Sequence, residues 1–559
     1  METPKAPDTP EREEAAVDSD AALRAAEAFD PGEDLTGEPA PGQQAGRIAR
    51  STAYFSMATA ASRIAGLARE VVAAGYYGVN GPMSAFTIAF QVPNLVRSLF
   101  ADAALQPAFV PVFTEQLQQG NYREAFRLAS TLLLMVTMVL GAITALFVVI
   151  APEVMPIFAP GFKGEILELT ITLSRILFPI LILLGLSGVV VGILNSYDRF
   201  GAFAIAPLFW NLTIILVLVL LIPSFHGNDR IYAYAIAILV GTLVQLLIPV
   251  FDLRNTPFRF NLSFEWRNPG VRRVLLLMLP VTISLGLINF NQLINSFFGS
   301  LVSEEAPAAI DKAFRIYQLP QGIFSVAIAT VLFPTLARFA NLGEIDNLRA
   351  TMANGMRQIL FVLVPAAAAI LALSEPMIRL IYQRGAFDPA QTTLVATALF
   401  WFAFSLPTNG LYLLQTRTFF SLQRPWMATG LAVIDLVVSA LAALVLYKPF
   451  GVGGIVAGTG VGTSAAVIAQ AVVLRREFGG LEFDRLFSTG VRISLASLGL
   501  AGVSYGVWHA LNQALGSSLL AEIAALGSGL VLGAVVYLVL ARLFRIAELE
   551  QIMRLLRRR

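Results

Sequence analysis

Apolar stretches near twenty residues long recur along almost the whole chain, and that recurrence constrains the fold more than any other feature. Each is long enough to cross about 30 Å of hydrocarbon as a helix. Composition agrees. Of 559 residues, 56% are hydrophobic and 14% charged, whereas soluble domains carry about 25% charged residues. The net charge of +2 says little, because the charges are segregated along the chain. No cysteine is present, which excludes disulfides and thiolate metal sites. The two histidines, His226 and His509, lie far apart in sequence and argue against a histidine metal centre or a Ser-His-Asp triad.

Residues 1–46 stand apart. They hold twelve acids and three bases among Ala and Pro, with no apolar run after a basic start, so they do not read as a secretory signal. Low hydrophobicity with high charge predicts a disordered acidic tail. From Arg47 onward the expected spans are 51–78, 82–110, 125–152, 165–195, 202–222, 231–253, 271–300, 309–340, 352–373, 391–413, 424–447, 451–476, 488–512 and 519–543. The fold class is thus an all-α integral membrane protein of about fourteen transmembrane helices. An even count puts both termini on one side. Arg254, Arg259, Arg267, Arg272 and Arg273 stand before or at the very start of the seventh span, and Arg475, Arg476 and Arg485 precede the thirteenth. The C terminus ends Arg557-Arg558-Arg559. Loops of the other parity read as poor in bases: Lys163, Arg230, Lys312, Arg379, Arg384 and Lys448. Lys and Arg concentrate in cytoplasmic loops, so both termini are expected in the cytoplasm.

A weak internal repeat divides the chain. Pro93 and Pro107 are fourteen apart in the second span, and so are Pro320 and Pro334 in the eighth. An offset near 227 residues also brings the Asn195-to-Pro207 turn close to Phe419–Pro425. Two parallel six-helix copies follow: an N-lobe over 47–254 and a C-lobe over 255–477. Residues 478–559 supply helices 13 and 14 and a basic tail. Transporters often place substrate between such halves near the midplane.

An ionisable residue at mid-bilayer costs about 2.5–3.5 kcal/mol on insertion scales. The first span carries Arg63, Arg69 and Glu70. The second carries Arg97 and Asp102, and the eighth Arg315. Four arginines fully immersed would cost about 10–14 kcal/mol. Pairing with Glu70 and Asp102 offsets part of that and leaves positive charge in surplus. A phosphate or pyrophosphate would neutralise it, and Arg suits the task because its planar fork stays charged and grips phosphate oxygens. The competing reading is that some of these side chains, Arg69 and Arg97 above all, snorkel to the interface. Arg63 and Arg69 also lie about 120° apart on a straight helix, so a shared site needs a bend. Arg175 in the fourth span is left unassigned.

Asp435, with Ser439 one turn on, Asn295 in the seventh span and Thr463 in the twelfth, is a candidate site for a coupling cation, since oxygen ligands suit small hard cations. Interhelical hydrogen bonding is the rival reading. No metal is otherwise assigned. No Gly-x-x-x-x-Gly-Lys-Ser/Thr loop is present, so the chain is not by itself an ATP-driven pump. Gly451-Val-Gly-Gly454 reads as a helix start.

The run from Ser62 to Phe113 resembles the N-terminal signature of the MurJ (MviN) lipid II flippases. The matching residues are Ser62-Arg63, Gly66, Arg69-Glu70, Ala85-Phe86, Ala89-Phe90, Pro93-Asn94-Leu95, Arg97, Phe100-Ala101 and Ala108-Phe109-Val110-Pro111. Further matches are Arg315-Ile-Tyr-Gln-Leu-Pro-Gln-Gly-Ile-Phe, Leu332-Phe-Pro-Thr-Leu336, Asn195…Pro207…Asn211, Tyr382-Gln-Arg-Gly-Ala-Phe387 and Phe419-Phe…Gln423-Arg-Pro425. The resemblance covers roughly 48–545. It implies the fold of the multidrug/oligosaccharidyl-lipid/polysaccharide exporter superfamily, with a cationic cavity between two lobes and a lipid-tail groove on the last two helices. Arg63, Arg69, Arg97 and Arg315 take the places of the family's substrate-binding arginines, with Glu70 and Asp102 as charge partners. Ser84, Gln91, Phe314 and Asn295 depart from the family pattern.

The reading that follows is a non-enzymatic flippase of a bacterial inner membrane. It moves undecaprenyl-pyrophosphate-linked disaccharide-pentapeptide, lipid II, to the outer leaflet by alternating access. It needs no cofactor beyond a coupling cation, sodium or proton. Its partners are lipid II, membrane lipids and the peptidoglycan synthesis machinery, and no nucleic acid. The alternatives are a flippase of another polyprenyl-linked glycan, a drug/cation antiporter of the same superfamily, and a membrane scaffold without transport.

Overall fold

The computed structural model describes residues 41–100, 105–262, 264–516 and 518–550. The acidic tail before residue 41, Asp102 and the last nine residues lie outside these. The described chain forms sixteen α-helices, and apolar composition explains why. In hydrocarbon each backbone polar group must be satisfied within its own segment. The helices are α1 (Pro41–Tyr77), α2 (Gly81–Phe100), α3 (Leu105–Gln118), α4 (Tyr122–Phe158), α5 (Gly164–Leu177), α6 (Ile180–Ser196), α7 (Gly201–Leu221) and α8 (Arg230–Asp252). They continue as α9 (Pro269–Val302), α10 (Ala306–Pro320), α11 (Val326–Leu342), α12 (Ile345–Tyr382), α13 (Pro389–Ser421), α14 (Pro425–Glu477), α15 (Phe483–Leu515) and α16 (Leu519–Leu543). The first helix begins at Pro41, inside the stretch expected as tail.

Ten helical stretches are long and apolar enough to cross a membrane among the described residues. The fourteen expected spans require more: α1, the α2–α3 stretch and α9 must also cross, and α14 must cross twice. Gly451 divides α14 with φ 56° and ψ −132°, a conformation that glycine alone adopts readily. Three more glycines follow it (453, 454 and 458), among them Gly454, where an added Cβ would lie 2.1 Å from the Leu446 carbonyl oxygen. The two arms of α14 therefore fold back in close contact. Pro320 opens a π-turn over Gln321–Ser325 between α10 and α11, and such turns cluster at functional sites.

The helices pack as two groups. In the first, α1 lies on α7, α7 on α8, and α2 on α5; in the second, α12 lies on α13, α13 on α14, and α9 on α14. Helices α15 and α16 pack on each other and against α12. The chain alternates direction, so one end of the bundle holds Tyr77, Gly161 and Ala386. This is called the far end, opposite the described termini.

At the far end the lobes touch through small residues. The Ala386 N–H donates to the Gly75 carbonyl at 2.8 Å, the Val79 N–H to Gln391 Oε1 at 2.8 Å, and the Gly161 N–H to Ser300 Oγ at 3.2 Å. A Cβ on Gly161 would lie 1.9 Å from the Ser300 carbonyl oxygen, and one on Gly385 2.2 Å from that of Gly75. Glycine is what lets these backbones meet.

Between α8 and α9 the chain runs extended along α4. The Asn261 N–H donates to Ser130 Oγ at 3.0 Å and the Glu265 N–H to Thr131 Oγ1 at 3.3 Å. Glu265 also pairs with Arg127 at 3.4 Å. Helix α9 starts with Asn268 capping the Gly270 N–H at 2.8 Å, as Asn does at N-caps. Its early part packs on α3 and α4 through Val271, Arg273 and Val274, and its later part meets α14 through Asn291 and Asn295 and α2 through Ser296.

Candidate functional site

Between the two groups lies a cavity of about 150 Å³, lined from α1 by Arg69 and Glu70, from α2 by Phe86, Thr87, Gln91 and Asn94, from α8 by Tyr234, from α9 by Gln292 and from α10 by Asp311, Phe314, Arg315 and Gln318. Both lobes thus contribute guanidiniums to one space. Arg69 is 8% exposed. Its Nη2 donates to Glu70 Oε1 at 2.6 Å, and its guanidinium lies 4.6 Å from the Trp210 ring centroid. Cation–π contact of this kind strengthens where water is excluded. Trp210 is held in turn by its indole N–H on Thr242 Oγ1 at 3.2 Å. Arg315 pairs with Asp311 on its own helix at 3.3 Å. Arg69 Nε and Nη1 and Arg315 Nε are buried without a hydrogen-bond partner among the described residues. Unspent cationic donors facing one space are what an anion with several oxygens would engage.

The other two arginines are placed differently. Arg63 is exposed and faces the π-turn, its Nη1 3.8 Å from where a Cβ on Gly322 would stand. Arg97 Nε donates to Asn94 Oδ1 at 2.9 Å and lines a separate cavity of about 250 Å³ with Ser187, Pro207 and Gln245 in the first lobe. Asn94 lines the central cavity, so Arg97 reaches that cavity through Asn94. Asp102, its expected acid, is not among the described residues. Arg175 donates to the Val148 carbonyl at 2.9 Å and stands outside this arrangement.

Lys312 corrects the sequence reading, which counts it as a loop base. It lies within α10 and is 0% exposed. Its Nζ is 2.6 Å from Glu70 Oε2 and 5.7 Å from the Tyr382 ring centroid. Asp311 was missed as well. The signal available was the spacing Asp311, Lys312, Arg315, which puts the acid and the arginine one helical turn apart.

The residues that depart from the family pattern bridge helices. Ser84 Oγ accepts from the Ala308 N–H at 3.1 Å, and Gln91 Oε1 from Ser296 Oγ at 2.6 Å. Phe314 meets Phe402 of α13 at 5.6 Å between ring centroids. Asn211 donates to the Ser62 carbonyl at 3.3 Å, fixing α7 to α1 beside Arg63.

Of the four candidate cation ligands, three come together. Ser439 and Thr463 both donate to Asp435 Oδ1 at 3.3 Å. Asn295 does not join them; its Oδ1 accepts from Thr459 at 2.8 Å. Asn291, one turn earlier on α9, takes that place and donates to Asp435 Oδ2 at 3.0 Å. No cluster of three His, Cys, Asp or Glu occurs among the described residues. A groove of about 700 Å³ runs along α15, lined by Leu360 and by Phe483, Leu486, Phe487, Val491, Leu495 and Leu498.

Comparison with known proteins bears on this arrangement. A family model described as "Lipid II flippase MurJ" matches residues 73–543. A protein of Rhizobium meliloti (strain 1021) named "Probable lipid II flippase MurJ" is 33% identical over 414 residues, covering 73% of this chain and 77% of its own. One of the same name from Rhizobium tropici is 32% identical over 512 residues, covering 90% and 95%. A solved structure described as "Lipid II flippase MurJ, inward closed conformation" superposes with a TM-score of 0.73 at 22% identity, covering 88% of this chain and 98% of that one. An inward-facing MATE family transporter of the MOP superfamily superposes at 0.63 with 17% identity, covering 75% and 94%. At these identities the two structures speak to the fold alone.

Proposed function

The chain belongs to the MurJ family of lipid II flippases, and on that premise we propose that it carries lipid II from the inner to the outer leaflet of a bacterial inner membrane. The observation that carries the reading is the central cavity itself. Arg69 and Arg315 enter it from opposite lobes with donors left over, which suits a pyrophosphate held at the lobe interface. Arg97, through Asn94, and Arg63, on the exposed stretch beside Gly322, are the outlying members of the substrate-binding set. Asp102 completes the acidic partners by sequence alone.

Transport proceeds by rocking of the lobes. With both termini in the cytoplasm, the far end is the outer face, and the hydrogen bonds at Gly75, Val79 and Gly161 close it. Substrate enters from the cytoplasmic side, neutralises the surplus cations and supplies the differential interaction that a shift between states requires. The polyprenyl tail stays in the apolar groove of α15. No bond is made or broken, so the chain is a transporter and not an enzyme. Lipid II then passes to the peptidoglycan synthesis machinery.

A small cation at Asp435 is the coupling ion. One carboxylate, two hydroxyls and Asn291 Oδ1, which is buried with no hydrogen-bond partner among the described residues, give an oxygen donor set that fits sodium. The membrane potential adds about 2.3 kcal/mol per charge per 100 mV.

The test is depletion of a host's own lipid II flippase with this chain supplied. Growth and outer-leaflet lipid II return with the wild type and fail with Arg69→Ala or Arg315→Ala. A well-expressed wild type that gives no rescue, in a host with compatible lipid II, refutes the reading.

A further inference from the structure

We propose that Lys312 is a gating residue of this transporter. Its ion pair with Glu70 latches the lobes at the outer face, and the anionic substrate releases the latch by displacing Glu70 from the cations around it. The inference rests on the function proposed above.

The pair joins α1 of one lobe to α10 of the other at 2.6 Å. Both partners are sealed from solvent, Lys312 at 0% and Glu70 at 9% side-chain exposure. Lys312 lies behind the cavity wall, against Tyr382, while Glu70, Arg69 and Arg315 face the cavity. It is therefore a positioning residue and not a ligand of the substrate. Tyr382 begins the loop whose next residues close the outer face. Gly385 abuts Gly75, the Ala386 N–H binds the Gly75 carbonyl, and Gln391 binds Val79. Gly75 stands five residues beyond Glu70 on α1, about 7.5 Å along the helix. The ion pair and the loop contacts thus form one continuous seam.

Charge counting gives the trigger. Three cations (Arg69, Lys312 and Arg315) share two carboxylates, Glu70 and Asp311. Glu70 serves two cations at once, one through each oxygen. A pyrophosphate arriving at Arg69 and Arg315 takes over one of those partners and brings negative charge up to Glu70. Like charges that close destabilise each other's ionised forms. Glu70 then loses its hold on α1's side of the seam, and the ammonium of Lys312, a compact and strongly hydrated charge, gains water as the seam parts. A seam that opens only when substrate neutralises its neighbours keeps the outer face closed in an empty cavity.

The full chain has no cysteine, so Val79→Cys makes a clean reporter. Val79 is 0% exposed beneath the seam, and a membrane-impermeant maleimide reaches it only when the outer face opens. The expected result in oriented liposomes is a labelling rate at least fivefold faster for Lys312→Met than for the wild-type background. The exchange Glu70→Lys with Lys312→Glu brings the rate back within twofold. Lipid II in the cytoplasmic-side leaflet speeds labelling of the wild type and leaves Lys312→Met unchanged. Thermal unfolding of each variant checks that it is folded, and Lys312→Arg, which keeps the charge, stands in if Lys312→Met is not. For Lys312→Arg the expected rate stays within twofold of the wild type, with the exchange variant carrying the charge dependence. Unaltered labelling in Lys312→Met, or acceleration that the exchange does not reverse, overturns the latch. If the latch arms succeed and lipid II has no effect where another polyprenyl pyrophosphate glycolipid does, the failure belongs to the choice of cargo. If no pyrophosphate lipid has any effect, substrate release of the latch is overturned.

Discussion

Asn291 of α9 donates to Oδ2 of Asp435 on α14 at 3.0 Å, so the carboxylate buried in the second lobe is held by the helix that also touches the first. If sodium is the ion of that site, binding it would stabilise the folded protein by an amount that grows with the logarithm of sodium concentration above the dissociation constant. Thermal unfolding in sodium should therefore exceed that in choline for the wild type, and Asp435→Asn should abolish the difference. A sodium-dependent shift that survives Asp435→Asn would place the ion elsewhere.

Gly462 permits the approach that builds that site. A Cβ there would stand 2.0 Å from Ser439 Oγ and 2.6 Å from the Asp435 carbonyl oxygen. Overpacking of this kind costs about 1–3 kcal/mol. Gly462→Ala should lower the unfolding midpoint in detergent and weaken the sodium effect together. Gly430→Ala, where a Cβ meets nothing within 4 Å, should do neither.

Trp210 gives Arg69 its face at 4.6 Å. Loss of the ring removes a contact worth about 0.5–2 kcal/mol and frees Arg69 to leave the cavity. Trp210→Ala should lower flipping of a fluorescent lipid II analogue in liposomes severalfold, with Trp210→Tyr retaining most of it. Equal activity in both would show that the ring only fills space.

Arg357 on α12 binds Glu548, 2% exposed, at 2.9 Å and Glu482 at 3.4 Å. It fastens the segment after α16 beneath the second lobe, where Ile546 and Leu549 are also buried. Removing one partner of a buried pair costs about 3–5 kcal/mol, whereas replacing both with apolar residues is often neutral. Arg357→Met should destabilise strongly, and Arg357→Met with Glu548→Leu should recover most of the loss in chemical unfolding.

How much of this was legible in the sequence depended on what each signal measures. Hydropathy found the helices because burial in lipid is a property of single segments. Arg69 and Arg315 stood out because charge in an apolar run is locally conspicuous, but the depth of Arg69 and the pairing of Arg315 with Asp311 depend on how the helices pack. Lys312 was misplaced for the converse reason: near a span boundary, a base reads as loop, and only its contact with a glutamate 242 positions earlier shows otherwise. Asn291 and Asn295 sit one turn apart on α9, and sequence cannot say which faces Asp435. Arg97 carries the family motif yet lines a different cavity from Arg69, a matter of helix rotation that spacing along one chain does not reveal.

The extended strap between the lobes has a mechanical consequence. Because Asn261 and Glu265 are fastened to α4, the covalent connector travels with the first lobe and cannot serve as a slack tether. The joint is shifted into α9, whose early part is held by the first lobe through Arg273 and Val274 and whose later part meets the second lobe at Asp435 and Thr459 and the first at Gln91 and Gly161. A nick in the strap should therefore leave the lobes coupled, while a stiffening substitution in the middle of α9 should jam them.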